Sequence, residues 1–287
     1  WVYGDKELYS HYCMRLARRG FTVVNFTYRL APEYRYPAPL EDTCAVMKWM
    51  QDNAETYFID LNNVFMLGDS AGGQLCHQLL TMLTNPKYAA LFDFPMPEGF
   101  RVNACALNCG CYFLPFNRLI SPKMCGASMR AYFPENHIPL LKQLKPEKFT
   151  DQHFPPAIVM SAANDFLLFM AKPMYRLLRR KGVEAQLHIY GTKAQKDIGH
   201  VFHVNIILPE AVQCNDDAAA FYRTLRATYP NTPIVALAPV WRADWQDHPD
   251  HTDFRLVAEG LSKIAEEVEN VHFIDCFGFI PEDTSLY

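Results

Sequence analysis

Ser70 stands in Gly68-Asp69-Ser70-Ala71-Gly72-Gly73, a G-x-S-x-G run, and a serine placed this way can act as a nucleophile. A hydroxyl alone is a weak nucleophile. It needs a base to take its proton, and the base needs a group that orients it. The pattern asks for these in the chain order serine, then Asp or Glu, then His. Asp165, in Asn164-Asp165, and His200, in Gly199-His200-Val201-Phe202, meet that order, and His203 is a second possible base. The chemistry of such a set is acyl transfer. The neutral imidazole takes the serine proton, and the carboxylate fixes its tautomer and stabilises the imidazolium. Taken singly, Asp165 reads equally well as a helix N-cap and His200 as a polar loop residue. It is the three together, in this order, that favour catalysis.

The elements around these residues suit the task. Val64-Phe65-Met66-Leu67 reads as a buried strand that delivers Ser70 to the top of a sheet. The turn there is too sharp for bulky neighbours, so Gly68 and Gly72 flank the serine, and Ala71 is small. Gln74 to Leu80 reads as a helix whose first N–H groups, that of Ala71 foremost, would face a developing oxyanion. Pro156 to Ala162 reads as a second buried strand with Asp165 at its end. A helix from Phe169 to Lys181, closed by Gly182, follows it. Val183 to Tyr190 alternates as a further strand, and the loop after it holds His200.

Four stretches together resemble the hormone-sensitive-lipase-like branch of the α/β-hydrolases, close to bacterial acetyl esterases. They are Asn25-Phe26-Thr27-Tyr28-Arg29-Leu30-Ala31-Pro32-Glu33 with Tyr36-Pro37-Ala38-Pro39-Leu40-Glu41-Asp42; Gly68 to Gly73; Asp165 with its helix; and His200-Val201-Phe202. The resemblance covers Trp1 to about Phe221. It implies an α/β-hydrolase fold, a mostly parallel sheet with helices on both faces. It also implies hydrolysis of a small carboxylic ester without a cofactor, with Ser70 as nucleophile, His200 as base, Asp165 as acid and Ala71 N–H in the oxyanion hole. His203 lacks the x-Phe that follows the family's catalytic histidine, which favours His200.

The same resemblance implies that something is missing. Family members carry His-Gly-Gly-Gly, whose N–H groups form most of the oxyanion hole, and Trp1-Val2-Tyr3-Gly4-Asp5 looks like the run just after it. The expectation is an N-terminally truncated domain with impaired turnover. The strand before that motif would lie between the strands ending near Phe26 and Leu67, so its loss would leave a gap in mid-sheet. Two later apolar runs suit the vacant, fully buried place: Ile234 to Ala238 and Val271 to Ile274. The region from about Thr224 also has a moderate similarity to the late part of SGNH-type hydrolases. Thr232-Pro233-Ile234-Val235 with Pro239-Val240, then Asn270-Val271-His272-Phe273-Ile274-Asp275, carry it, in a region that reads as a strand at Pro233 to Ala238, a helix at Asp253 to Glu269 and a strand at Val271 to Asp275. The expected organisation is therefore a hydrolase domain over 1–223 and an SGNH-like βαβ fragment over 224–287, from which no catalytic residue carries over.

Composition sets the outer bounds. Half of the 287 residues are hydrophobic, enough for a sizeable core. A net charge of −4 indicates no nucleic-acid-binding face, and no run is long and apolar enough to span a membrane. Nine scattered cysteines suggest a reducing, cytoplasmic setting. Cys105, Cys109 and Cys111 read as buried thiols rather than a zinc site, and Asp247 to Asp253 reads as a solvated loop despite its metal-ligand residue types. No metal is expected, the partner is a small-molecule ester, and nothing in the sequence speaks to oligomeric state. Tyr28, Tyr34, Tyr36, Phe113 and Phe116 fit an acyl pocket or core packing equally.

Overall fold

The central strands of the sheet are short apolar runs, and different helices cover its two faces. The structure, a computed structural model, describes residues 1–114, 122–134, 138–226 and 234–239. Its strands are β1 (Phe21–Phe26), β2 (Val64–Asp69), β3 (Ala104–Asn108), β4 (Ala157–Ala162), β5 (Ala185–Tyr190) and β6 (Ile234–Pro239). Its helices are α1 (Lys6–Ala17), α2 (Ala38–Asp52), α3 (Ala71–Thr84), the short α4 (Pro86–Ala89), α5 (Pro122–Tyr132), α6 (Leu168–Arg180) and α7 (Pro209–Arg226). The strand order is β1-β6-β2-β3-β4-β5, and every pairing is parallel.

β2, β3 and β4 are buried at every position, as expected of parallel strands covered on both faces. Successive side chains point to opposite faces. Val64 and Met66 belong to one buried cluster with Leu40 and Met47 of α2, Leu79 of α3 and Leu178 of α6. Phe65 and Leu67 pack instead with Tyr12 and Leu16 of α1 and Tyr222 of α7. Each such side chain removed from water contributes about 1.5–3 kcal/mol. β5 ends the sheet, and only its first and last residues are buried. α6 buries Met170, Met174, Leu177 and Leu178, a stripe at helical spacing, and Gly182 follows its end at φ +81°. The arginine of the first family-like stretch serves packing. Arg29 bonds Asp42 at 2.8 Å and Glu41 at 2.7 Å, tying the chain after β1 to α2.

The expected mid-sheet gap is absent: β6 fills it. Phe21–Phe26 pairs with Ile234–Pro239 along its whole length, and β6 pairs with Val64, Phe65 and Met66 on its other side. A vacant place between two parallel strands leaves backbone donors and acceptors unpaired on both, and an apolar strand inserted there satisfies them. Of the two candidate runs it is the first that takes the place. The second run, the helix expected at Asp253 to Glu269, the Asp247 to Asp253 cluster and Phe116 lie outside the described residues. The remaining aromatics divide: Tyr28 and Tyr36 are core residues, while Tyr34 and Phe113 are half-buried. Cys105, Cys109 and Cys111 are buried. No helix among the described residues is long and apolar enough to cross a membrane.

Candidate active site

The turn from β2 into α3 holds Ser70 at φ +53°, the left-handed region that a side-chain-bearing residue rarely adopts. Neighbouring chain holds it there. Ser70 N–H donates to Asn108 O at 3.0 Å, and Cys111 N–H donates to Ser70 O at 3.0 Å. The close packing explains the glycines. A Cβ at Gly68 would lie 2.5 Å from Gly72 O, and one at Gly73 would lie 2.8 Å from Gly110 Cα. Asp69, beside the serine, accepts a hydrogen bond from Tyr9 of α1 at 2.6 Å. Ala71 opens α3, where backbone N–H groups lack partners within the helix.

Ser70, Asp165 and His200 come together from three different strand ends. His200 Nε2 is 2.9 Å from Ser70 Oγ, and His200 Nδ1 is 2.7 Å from Asp165 Oδ1. Asp165 follows β4 and is buried, while the His200 side chain keeps 21% exposure. Burial pushes the Asp165 carboxyl up. Hydrogen bonds from His200, the Leu167 N–H and Ser161 outweigh it and hold the group below the usual carboxylate range. An ionised carboxylate only accepts, so Nδ1 carries the proton and Nε2 is left to accept from the serine. That is the tautomer a general base needs.

His203, three residues on, is placed quite differently. It has no exposed surface, and neither ring nitrogen has a hydrogen-bond partner among the described residues. It packs edge-on against Tyr12 and Phe202, and burial lowers its pKa. The separation comes from the backbone: Val201 sits at φ +58° and starts a 3₁₀ turn, Phe202–Val204, that turns His203 inward.

Three neighbours of the site were not singled out from sequence. Ser161 Oγ donates to Asp165 Oδ2 at 2.7 Å. The signal for it was available: a lone hydroxyl in an otherwise apolar buried strand must find a partner. Phe166 lies against His200 with ring centroids 4.2 Å apart and is 45% exposed. Cys109 reads from sequence as a mere buried thiol, yet its sulfur lies within 4.8 Å of ligand atoms of both Asp165 and His200. That trio has metal-ligand residue types, but the bond between Asp165 and His200 already accounts for its closeness.

Comparison with known proteins bears on the fold. A family model described as alpha/beta hydrolase fold matches residues 1–204. The chain is 33% identical over 123 residues to arylacetamide deacetylase of Bos taurus, which covers 36% of this chain. It is 30% identical over 100 residues to esterase LipC of Mycobacterium tuberculosis, which covers 34% of it. The chain spans 31% and 24% of the lengths of these two relatives. Among solved structures, esterase B of Lactobacillus rhamnosis superposes with a TM-score of 0.71 at 23% identity, over 79% of this chain and 73% of that one. With the match running through β1 to the His200 loop, the chain belongs to the α/β-hydrolase fold family.

Proposed function

We propose that this chain is a serine carboxylesterase that hydrolyses small acyl esters through an acyl-enzyme. The observation that carries the reading is the unbroken hydrogen-bond line Ser70 Oγ–His200 Nε2, His200 Nδ1–Asp165 Oδ1, at 2.9 and 2.7 Å. In the proposed cycle His200 takes the Ser70 proton as Oγ attacks the ester carbonyl. The Ala71 N–H, at the positive end of α3, faces the oxyanion. The tetrahedral species collapses as His200 returns its proton to the departing alcohol, leaving an acyl-Ser70. Water then enters, His200 takes its proton, and the acid is released. The esterase and deacetylase among the relatives support acyl-ester chemistry and a short acyl group.

The test is hydrolysis of p-nitrophenyl acetate by the wild type and by Ser70→Ala. The expected result is loss of all enzymatic turnover in the variant, with the melting temperature little changed. Equal rates would sink the reading, since every other part of the site serves that hydroxyl.

A further inference from the structure

The turn that carries Asp165 and the loop that carries His200 are joined at a second place, away from the bond between the two side chains. His200 is separated from β5 by the stretch from Gly191 to Gly199, which contains no helix or strand. Such a stretch does not fix its far end by itself, because ordering each of its residues costs conformational entropy. Hydrogen bonds to the neighbouring elements supply the restraint. Ala163 N–H donates to Tyr190 O at 2.8 Å, which continues the pairing of β4 with β5 up to the turn of the acid. Asn164, directly before Asp165, then donates from Nδ2 to two carbonyls of the loop, Thr192 O at 3.0 Å and Gln195 O at 2.7 Å. Both partners only accept, so it is the nitrogen end of the amide that must face them. Gln195 O accepts a second bond, from Ile198 N–H at 3.2 Å, and Ile198 is buried two residues before His200. The Gln195 side chain gathers the rest of the loop: Oε1 accepts from Thr192 N–H at 2.9 Å, and Nε2 donates to Glu210 of α7.

We propose that Asn164 is a positioning residue of this site: by bridging Thr192 O and Gln195 O it holds the loop where His200 can reach Asp165 and Ser70 together. The inference rests on the esterase reading above. The residue next to the acid thus grips the loop of the base, and the bond from His200 Nδ1 to Asp165 Oδ1 at 2.7 Å closes a ring. The ring runs from Asp165 through Asn164 to Gln195, along the chain to His200, and back. The imidazole must meet two partners at once, Asp165 at 2.7 Å and Ser70 at 2.9 Å, so a small drift of the loop loses one of them. Without the Asn164 amide the loop keeps its tie to α7 through Gln195 and loses its side-chain tie to the turn of the acid. An aspartate at this position has the same shape but, ionised, only accepts, so it can make neither bond.

Two variants test this in the full chain. Asn164→Ala removes the amide, and Asn164→Asp keeps its shape while removing the donor. Rates are measured with p-nitrophenyl acetate well below the melting temperature, so that unfolded chain does not enter them. Both variants should lower kcat about tenfold, the loss expected of two hydrogen bonds of ordinary strength, and change KM less than about twofold. The downfield Nδ1–H proton resonance of His200 reports the bond to Asp165 without turnover, and it should shift or broaden in Asn164→Ala. A merely structural role gives a different pattern: a lower melting temperature with wild-type kcat and an unmoved resonance. That pattern overturns the proposal. An aspartate variant with wild-type kcat also overturns it, because shape rather than the two donated bonds would then matter. If Asn164→Ala does not fold, Asn164→Asp decides: a kcat within about twofold of wild type refutes the positioning role, and a tenfold loss with KM kept supports it. The proposal and the esterase reading fail separately. That reading falls if Ser70→Ala keeps the wild-type rate, and this one falls if turnover depends on Ser70 but not on Asn164.

Discussion

The two halves of the sheet are assembled by different rules. From β2 to β5 each strand lies beside the next one in the chain, and the segments following those strands bring Ser70, Cys109, Asp165 and His200 together. In the other half β1 and β2 follow one another in sequence but do not touch as neighbours. β6, arriving after α7, separates them. In the first half the decisive features are local: a sharp strand-to-helix turn, a carboxylate at a strand end, a histidine in a loop. In the second half the decision is non-local, because a ladder position is filled by whichever buried run satisfies both neighbours. The candidate site is therefore concentrated where short motifs suffice, and the integrity of the sheet depends on a strand from far along the chain.

The sharpest way to break that contrast is at the two histidines. His200→Ala should slow p-nitrophenyl acetate hydrolysis by about 10³-fold or more and stop labelling of Ser70 by a fluorophosphonate. His203→Phe should keep most of both, since His203 is buried against Tyr12 and Phe202 and makes no side-chain hydrogen bond among the described residues. The reverse pattern would move the base into the 3₁₀ turn and detach function from the His200 geometry.

The other half is probed by Ala236→Pro. Ala236 is paired with Val23 of β1 and Phe65 of β2, and a central strand has no place for a residue without an N–H. Stability should fall by several kcal/mol, with activity lost only in step with the unfolded fraction. A variant with the wild-type melting temperature would show that β6 does not hold the sheet together.

Acid should weaken the first half. Burial drives the His77 pKa down from 6.5 to about 4. The unfolded chain therefore takes up a proton that the native one refuses between those values. Stability should be level above about pH 6.5, fall by up to about 3 kcal/mol as pH drops toward 4, and flatten below. The lowered pKa of His203 acts in the same direction. His77→Gln should flatten the urea-measured profile, and a slope unchanged by it would discard this account.

The smallest expected effect is at Ser161. Ser161→Ala removes one of the hydrogen bonds that hold Asp165 ionised, so kcat/KM should fall about tenfold. A kcat/KM within twofold of wild type would mean that the remaining donors fix the carboxylate without it.

Much of this site was legible before any coordinates, and the limits of legibility have physical causes. Ser70 could be recognised because an elbow needs glycines at Gly68 and Gly72 and an apolar strand before it, and those needs are written within ten residues. Asp165 and His200 could be recognised as candidates, though only their order spoke for them. His203 could be set aside only on family resemblance, because the left-handed step at Val201 that turns it inward leaves no mark on residue types. Cys109 reads as a buried thiol, which it is. Its nearness to Asp165 depends on β3 and β4 lying side by side.

The sequence by itself determined the local geometry: which runs are strands buried on both faces, where the chain must turn sharply, and which side chains carry acid–base chemistry. These follow from periodicity, glycine placement and residue type, all of which act over a few residues. Only the tertiary structure decided which neighbours those elements acquire. Ile234–Ala238 and Val271–Ile274 were equally suited to the open place beside β1, and nothing in either run names its partner strands. That choice depends on how crossovers and covering helices close the sheet, an energy shared over the whole core. The same closure brings three strand ends within hydrogen-bonding distance and turns separate residues into a site.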